Sequence, residues 1–241
     1  IKKVLNIPWL AEIHDPLVMP GTHPKSRRQK AYADVERQIC HDADIAIWFT
    51  DQAMLSAKQR HPMLGDRGRV MLPGVDNPFA DTDWPTYRKG PKFILGHFGS
   101  LSHSRSLTPF IQALAHLSQK STDVYRDLEL HIYGGHLDEA AEKAAHQLGV
   151  MDHVIRWGRI EHDPKTGMSG RDQVLLRMRD CDALALVHGN DAMCLEYIPS
   201  KLYEYLWMRR PIVATVHDNP QMARILREQG HSVMECNLHM V

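Results

Sequence analysis

The sequence predicts an α/β protein: two lobes of parallel sheet joined by a linker, the first lobe incomplete. Three observations carry that expectation. Short aliphatic runs alternate with amphipathic helical stretches along the 241 residues, and such alternation builds parallel sheets covered by helices on both faces. The alternation stops from Gly74 to Gly90, where Pro78, Pro85 and several aspartates replace the aliphatics and Pro91 marks the boundary; this composition reads as linker. The pattern then restarts and holds a nearly complete set of strands, whereas the residues before the break hold only the last strands of a sheet. The expected division is 1–73, 74–91 and 92–241.

Element by element, Val4 to Ile13 reads as a buried strand interrupted by Pro8, and Arg27 to Asp42 as an amphipathic helix. Ala43 to Thr50 is a strand, and Asp51 is placed to cap the helix that follows, to near Arg60. Arg69 to Pro73 is a short strand. After the linker, Lys92 to Gly99 is a strand, and Leu107, Phe110, Ile111, Leu114, Ala115 and Leu117 mark one helix face. Leu128 to Tyr133 is a strand ending in Gly134-Gly135, and Leu137 to Leu148 a helix. The strand at Val154–Trp157 precedes a helix from Arg171 to Arg179. Then come the strand Ala183–Val187, a helix opened by Pro199 and Ser200, the strand Pro211–Val216, a helix from Pro220 to Arg227, and a strand near Ser232–Glu235. No solenoid-type repeat is present.

Composition narrows the function classes. Lys plus Arg and Asp plus Glu each number 29, so global charge offers no argument for nucleic acid or an anionic membrane. One local basic run, Lys25-Ser26-Arg27-Arg28-Gln29-Lys30, is either a solvated helix start or an acceptor or membrane-surface patch. Cys40, Cys181, Cys194 and Cys236 form no Cys-x-x-Cys, which predicts free thiols in a reducing compartment. No apolar run approaches the ~18 residues of a membrane span. No signal peptide is visible, although the chain begins at Ile1 and a preceding segment is left open. The expected location is cytoplasmic, with contact at the inner membrane face as an option. None of the 16 histidines falls in a zinc-binding spacing, so no metal site is expected.

The densest chemistry lies in Glu196-Tyr197-Ile198-Pro199-Ser200-Lys201-Leu202-Tyr203-Glu204-Tyr205-Leu206. Glu196 falls in a loop after a buried strand, and Glu204 in the first turns of the next helix. That order places both at the C-terminal edge of a parallel sheet, where open α/β sheets bind ligands. Free N–H groups near Ser200 and Leu202 suit an anion, and two carboxylates suit vicinal hydroxyls. Together they describe a sugar nucleotide. Three more strand ends point to the same edge. Phe98-Gly99-Ser100-Leu101-Ser102-His103-Ser104-Arg105 offers a glycine for close approach and a cation near a helix start, where an anion would relieve it. Trp157-Gly158-Arg159-Ile160 ends a strand there and is equally explained as a plain turn, while Gly134-Gly135 ends the neighbouring strand without a Gly-x-Gly-x-x-Gly fingerprint. His14-Asp15 ends the first strand, facing the cleft, where a cap by Asp15 is the alternative. His188 and Asn190 are expected to point there too.

The Glu196–Glu204 segment resembles the Glu-x7-Glu donor motif of retaining glycosyltransferases with the GT-B fold, two Rossmann-like lobes, in family four (glycosyl transferases group 1). Pro-Ser-Lys-Leu-Tyr-Glu-Tyr-Leu followed by Arg-Pro-Ile-Val-Ala is similar to members that build bacterial surface polysaccharides. The resemblance runs from Pro8 to Val233, with its specific part at 94–106 and 183–216. It implies transfer of a hexose, with retention and without metal, from a nucleotide diphosphate sugar to a saccharide or lipid-linked acceptor. The donor is then a co-substrate, and no further cofactor is expected. By resemblance, Arg105 matches the lysine of the family's diphosphate loop. Ser100 stands where arginine is frequent, which leaves Lys201 as the candidate second cation. Arg159 and Ile160 match the base-holding positions, Glu204 would hold the ribose, and Glu196 the donor sugar. His14 lies in the segment that lines the cleft from the acceptor side. A sugar-nucleotide epimerase of the same fold and a non-enzymatic nucleotide or sugar binder are the alternatives.

Overall fold

The computed structural model describes residues 6–21, 23–79, 87 and 89–236. The start of the Val4–Ile13 run and most of the expected linker beyond Phe79 lie outside the described residues.

The first lobe is built from β1 (Leu10–Ile13), α1 (Arg27–Asp42), β2 (Ile45–Trp48), α2 (Asp51–Arg60) and β3 (Gly68–Val70). Its three strands pair in parallel in the order β1-β2-β3. The strand at β1 starts later than expected, because Asn6 takes a positive φ and Pro8 lacks a ladder donor. In α1 the limits coincide with the expectation. A capping box fixes its start: Gln29 N–H donates to Ser26 Oγ at 3.1 Å, and Ser26 N–H to Gln29 Oε1 at 2.9 Å. For α2 the cap is Thr50 rather than Asp51; Thr50 Oγ accepts from Ala53 N–H at 3.2 Å. Asp51 is the first helical residue, where its charge suits the helix dipole. Cys40, Ala46, Trp48, Ala57 and Leu64 form the small core.

The second lobe contains β4 (Phe93–Gly99), α3 (Thr108–Lys120), α4 (Thr122–Asp127), β5 (Leu128–Gly134), α5 (Glu139–Gln147), β6 (Val154–Gly158), α6 (Gly170–Asp180), β7 (Ala183–Val187), α7 (Lys201–Trp207), β8 (Ile212–His217), α8 (Pro220–Glu228) and β9 (Ser232–Cys236). Six parallel strands run in the order β6-β5-β4-β7-β8-β9. Every residue of β7 is buried, as a continuous aliphatic run in a central parallel strand should be. One core layer packs Phe98, Leu184, Leu186, Leu202 and Tyr205; the opposite layer packs Leu107, Ile111, Leu130, Ile132 and Ala185. The chain moves outward from β4 through β5 to β6, then returns to place β7 on the other side of β4. That reversal opens a crevice at the C-terminal ends of β4 and β7, the position where doubly wound sheets take ligands.

Among the described residues, two hydrogen bonds join the lobes along a seam and a third ties the second lobe to the start of the linker. The Thr50 hydroxyl donates to the Glu196 carbonyl at 2.6 Å, Asp51 N–H to Gln221 Oε1 at 2.9 Å, and the Trp207 indole to the Val75 carbonyl at 2.9 Å. Among the described residues no helix is long and apolar enough to cross a membrane, and no cluster of three His, Cys, Asp or Glu side chains could hold a metal. Cys40, Cys181 and Cys194 are free and buried.

Candidate functional site: the cleft between the lobes

Two glycines shape the rim of the second sheet. Gly99 and Gly134 pair in register at the ends of β4 and β5, with φ of 116° and 111°, values L side chains rarely adopt. A Cβ on Gly134 would stand 3.0 Å from the Gly99 backbone. A Cβ on Gly99 would overlap the Lys201 ammonium and reach 3.0 Å from its Cε. The absent side chain at Gly99 is therefore the space in which Lys201 lies.

Lys201 is the first residue of α7 and its charge is held in a poor environment. Burial, and then the like charge of Arg105, push its ammonium down to about 8, with Glu204 acting in the opposite sense. Arg105 does not sit in the helix, as the sequence suggested, but three residues before α3. It closes a tight turn in which Ser102 and Arg105 exchange backbone hydrogen bonds of 3.1 and 3.0 Å. The dipole argument therefore gives way to a steric one. Gly189 lies so close that a Cβ there would be 3.2 Å from Arg105 Cγ, and this packing directs the guanidinium into the cleft. Among the described residues neither cation forms an ion pair. Two convergent cations, neither of them ion-paired, make an anion site.

These groups line a cleft of about 490 Å³ together with Ser100, Pro199 and Ser200 and, from the first lobe, His14, Asp15 and Phe49. The volume lies within the usual range for small-molecule sites, roughly 300–1,000 Å³. His14 stacks on Phe49 with ring centroids 4.5 Å apart, and its Nε2 is 2.9 Å from Glu12 Oε1. At the cleft floor lies His97 on β4. Its Nδ1 is 3.1 Å from the Ala185 carbonyl, so Nδ1 carries the proton and donates. Burial, Lys201 and Arg105 hold the ring neutral, down to about 3.

A second cavity of about 820 Å³ adjoins the first and shares His14, Asp15, Arg105 and Tyr197 with it. Its walls are Leu17, Met19, Arg28, Tyr32, Val35 and Ile39 from the first lobe, facing Ser104, Asp191 and Met193. Arg28, from the basic run, stands over the Tyr32 ring at 5.4 Å and donates to its hydroxyl at 3.2 Å. A third hollow of about 430 Å³ is lined by Arg159, Ile160, His162 and Arg171. Gly158, with φ of 70°, turns the chain into it. Arg171 forks onto Glu204 at 2.9 and 3.1 Å, so the Glu204 carboxylate is fixed beside this hollow rather than inside the main cleft.

The structure departs from the sequence expectation at four residues, Glu196 and Leu202 of the Glu-x7-Glu segment and His188 and Asn190 before it. Glu196 ends a short 3-10 turn, Ala192–Glu196, that points its side chain away from the cleft. The residue is 2% exposed, its carboxylate is near Ser56, Arg60 and Glu36 of the first lobe, and burial raises its pKa. Neither of its oxygens closes a hydrogen bond among the described residues. Leu202 offers no free N–H, because that group donates to the Pro199 carbonyl at 2.9 Å, and its side chain is core. His188 is buried and bridges the backbone: Nε2 donates to the Tyr197 carbonyl at 3.1 Å and Nδ1 accepts from His217 N–H at 3.3 Å. Asn219 donates to the Cys194 and Tyr197 carbonyls at 2.9 and 3.0 Å. His188, Asn219 and Thr50 thus tie down the loop that carries Tyr197 to Ser200 into the cleft. Asn190 lines neither cavity.

His97, Tyr197 and Arg171 escaped the sequence reading. His97 was one histidine among 16, and only its place two residues before the strand-ending Gly99 marked it.

No protein-family model matches the chain, and no curated protein matches it by sequence. Solved structures match its fold. A variant of S. aureus TarM in complex with fondaparinux, alpha-GlcNAc-glycerol and UDP superposes with a TM-score of 0.62 at 12% identity, over 96% of this chain and 41% of that one. WaaG, a glycosyltransferase involved in lipopolysaccharide biosynthesis, gives 0.61 at 19%, over 87% and 55%. A UDP-forming α,α-trehalose-phosphate synthase from Burkholderia vietnamiensis gives 0.65 at 13%, over 97% and 59%. The chain thus spans about 41% to 59% of the length of these structures. The likeness is one of fold: α/β lobes with parallel sheets in the GT-B arrangement.

Proposed function

We propose that the chain is part of a retaining glycosyltransferase that moves a hexose from a nucleotide diphosphate sugar to a hydroxyl of a saccharide or lipid-linked acceptor. The observation that carries this reading is the pair of unpaired cations, Arg105 and Lys201, at the glycine notch of the second sheet. The diphosphate lies on those two groups, with Ser100 and Ser200 beside it. Preorganised cations stabilise the charge that develops on the leaving diphosphate, so no metal or other cofactor is required. The base lies toward Arg159 and Ile160, and Glu204, held by Arg171, receives the ribose hydroxyls. The acceptor enters by the larger cavity, whose shared wall of His14, Asp15 and Tyr197 brings its hydroxyl to the sugar. The sugar–phosphate bond breaks, the bond to the acceptor oxygen forms on the same face, and the acceptor proton leaves with the diphosphate.

The adjoining cavity favours transfer over epimerisation of a single nucleotide sugar, because a second substrate has a place to bind. Glu196 takes no direct part here: its buried position suits a role in the seam. The location follows as cytoplasmic, with the exposed basic run near Lys25 available to a membrane face. The test is thermal stabilisation across a panel of nucleoside diphosphates and nucleotide sugars. A ligand at 100 times its Kd adds about 2.7 kcal/mol, or roughly 5–11 °C in Tm for a chain of this size. No stabilisation by any member of the panel would exclude the reading. Conversion of the nucleotide sugar without acceptor would favour the epimerase.

A further inference from the structure

We propose that His97 is a specificity-determining residue, whose Nε2 accepts a hydrogen bond from a hydroxyl of the sugar carried on the diphosphate. The inference rests on the reading of the cleft as a nucleotide-sugar site.

His97 is 2% exposed, yet it forms part of the floor of the 490 Å³ cleft. Its tautomer is fixed. The Ala185 carbonyl can only accept, so the proton is on Nδ1 and Nε2 presents a bare lone pair. No protein group among the described residues reaches Nε2. A buried acceptor left unmatched is costly, and native interiors match nearly all such groups. The most natural partner is therefore what the cleft binds.

The chemistry of the partner follows from the neighbours. His97 and Gly99 are two apart on β4 and so share a face, and Lys201 occupies the space over Gly99. The ring thus lies deeper than the two cations that take the diphosphate. It cannot serve the diphosphate itself: an ionised phosphate has acceptors only, and so has Nε2. Nor does it act as an acid, because burial and then the cations beside it keep it unprotonated. What a neutral, fixed acceptor next to a phosphate site recognises is an O–H on the ring of the sugar that the phosphate carries. Such a site discriminates strongly, since a donor lacking the hydroxyl leaves the buried acceptor unpaired.

The experiment is calorimetry with UDP, GDP, UDP-glucose and GDP-mannose on the wild type, His97→Leu and His97→Gln. For whichever base the wild type accepts, His97→Leu should bind the nucleoside diphosphate within twofold of wild type. It should bind the nucleotide sugar at least tenfold more weakly, a difference of about 1.4 kcal/mol. His97→Gln, which keeps an acceptor, should recover most of that loss. Equal weakening of both ligands would mean that His97 acts only through Lys201 or the fold, and no weakening would mean that it reads nothing; either overturns the inference while leaving the nucleotide-sugar site intact. Should the leucine variant not fold, a series of monodeoxy donors decides. The wild type must lose affinity for one analogue, and His97→Gln must lose less for that same analogue; equal losses overturn the inference. A wild type that binds none of the four ligands removes the functional reading and this inference together.

Discussion

Gly99→Ala isolates the glycine notch, because it adds one methyl group at a position where the backbone and a cation both resist it. The backbone at 116° falls in a region nearly closed to residues with a Cβ, and holding alanine there costs about 1–3 kcal/mol. At roughly 2–4 °C per kcal/mol for a chain of this size, Tm should fall by about 2–12 °C. The second effect is on Lys201. The new methyl would lie 3.0 Å from Lys201 Cε and overlap the ammonium beyond it. That end of the side chain is flexible, so it swings aside at little cost in stability but takes its charge out of the cleft. A lost hydrogen bond to a charged group is worth about 1.5–3 kcal/mol, so affinity for a nucleoside diphosphate should drop roughly 10- to 150-fold. Scanning calorimetry reads the first effect and titration calorimetry the second. The two separate in a Lys201→Ala background, where Gly99→Ala should still lower Tm but remove no further affinity. If Gly99→Ala binds the diphosphate as wild type does, or if the two affinity losses add in full, the notch does not serve Lys201.

Four further outcomes are expected. Arg105→Ala should weaken nucleoside diphosphate binding by about 1.5–3 kcal/mol, and unchanged affinity in titration calorimetry would remove it from the diphosphate site. Glu204→Ala should weaken both the free nucleotide and the intact donor, whereas an effect on the donor alone would contradict the ribose assignment. Lys201 carries a folded pKa of about 8 against an ordinary value of 10.5, so the unfolded chain holds more protons between those values. Stability should rise with pH across that window, while diphosphate affinity falls as the ammonium is lost; Lys201→Met should abolish both trends. Glu196 is shifted the other way: its carboxyl is raised above 4.5 by burial, so the folded chain holds the extra proton and stability declines as pH rises through the raised value. Glu196→Gln removes that dependence and should be at least as stable as wild type near neutral pH, with diphosphate affinity retained. A variant that lost nucleotide binding would return Glu196 to the cleft.

Much of the architecture was legible because local signals agreed with one another. In α1 the amphipathic pattern points to limits at Arg27 and Asp42, and the structure keeps them, with a Ser26–Gln29 capping box at the start. The five aliphatics of β7 read as a central strand and are one. The lining of the cleft was legible at Gly99 and Arg105, which follow a strand, and at Lys201, which opens α7. It was not legible where a short turn sets the direction of a side chain. The spacing of Glu196 and Glu204 is eight residues, but the 3-10 turn before Tyr197 rotates the first carboxylate toward α2 of the other lobe, and nothing in the spacing encodes that rotation. The partner of Glu204 lies 33 residues away at Arg171, a pairing that only the packing of α6 against α7 creates. At α2 the cap moved by one residue, because threonine and aspartate are both good caps and the backbone geometry chose Thr50.

The loop from His188 to Ser200 is held at Glu196 by Thr50 of the first lobe and at Cys194 and Tyr197 by His188 and Asn219 of the second. Beyond Ser200 it passes directly into Lys201. It therefore works as a strap anchored at both ends in the second lobe, gripped at Glu196 by the first, and running on into a cation. A change in the angle between the lobes must draw on the strap, and the ammonium moves with it. An acceptor that closes the larger cavity would thereby alter donor affinity without touching the donor. Linkage makes that influence mutual: by whatever factor the acceptor tightens the donor, the donor tightens the acceptor. Measured separately, each substrate would then underestimate the strength with which the pair is held.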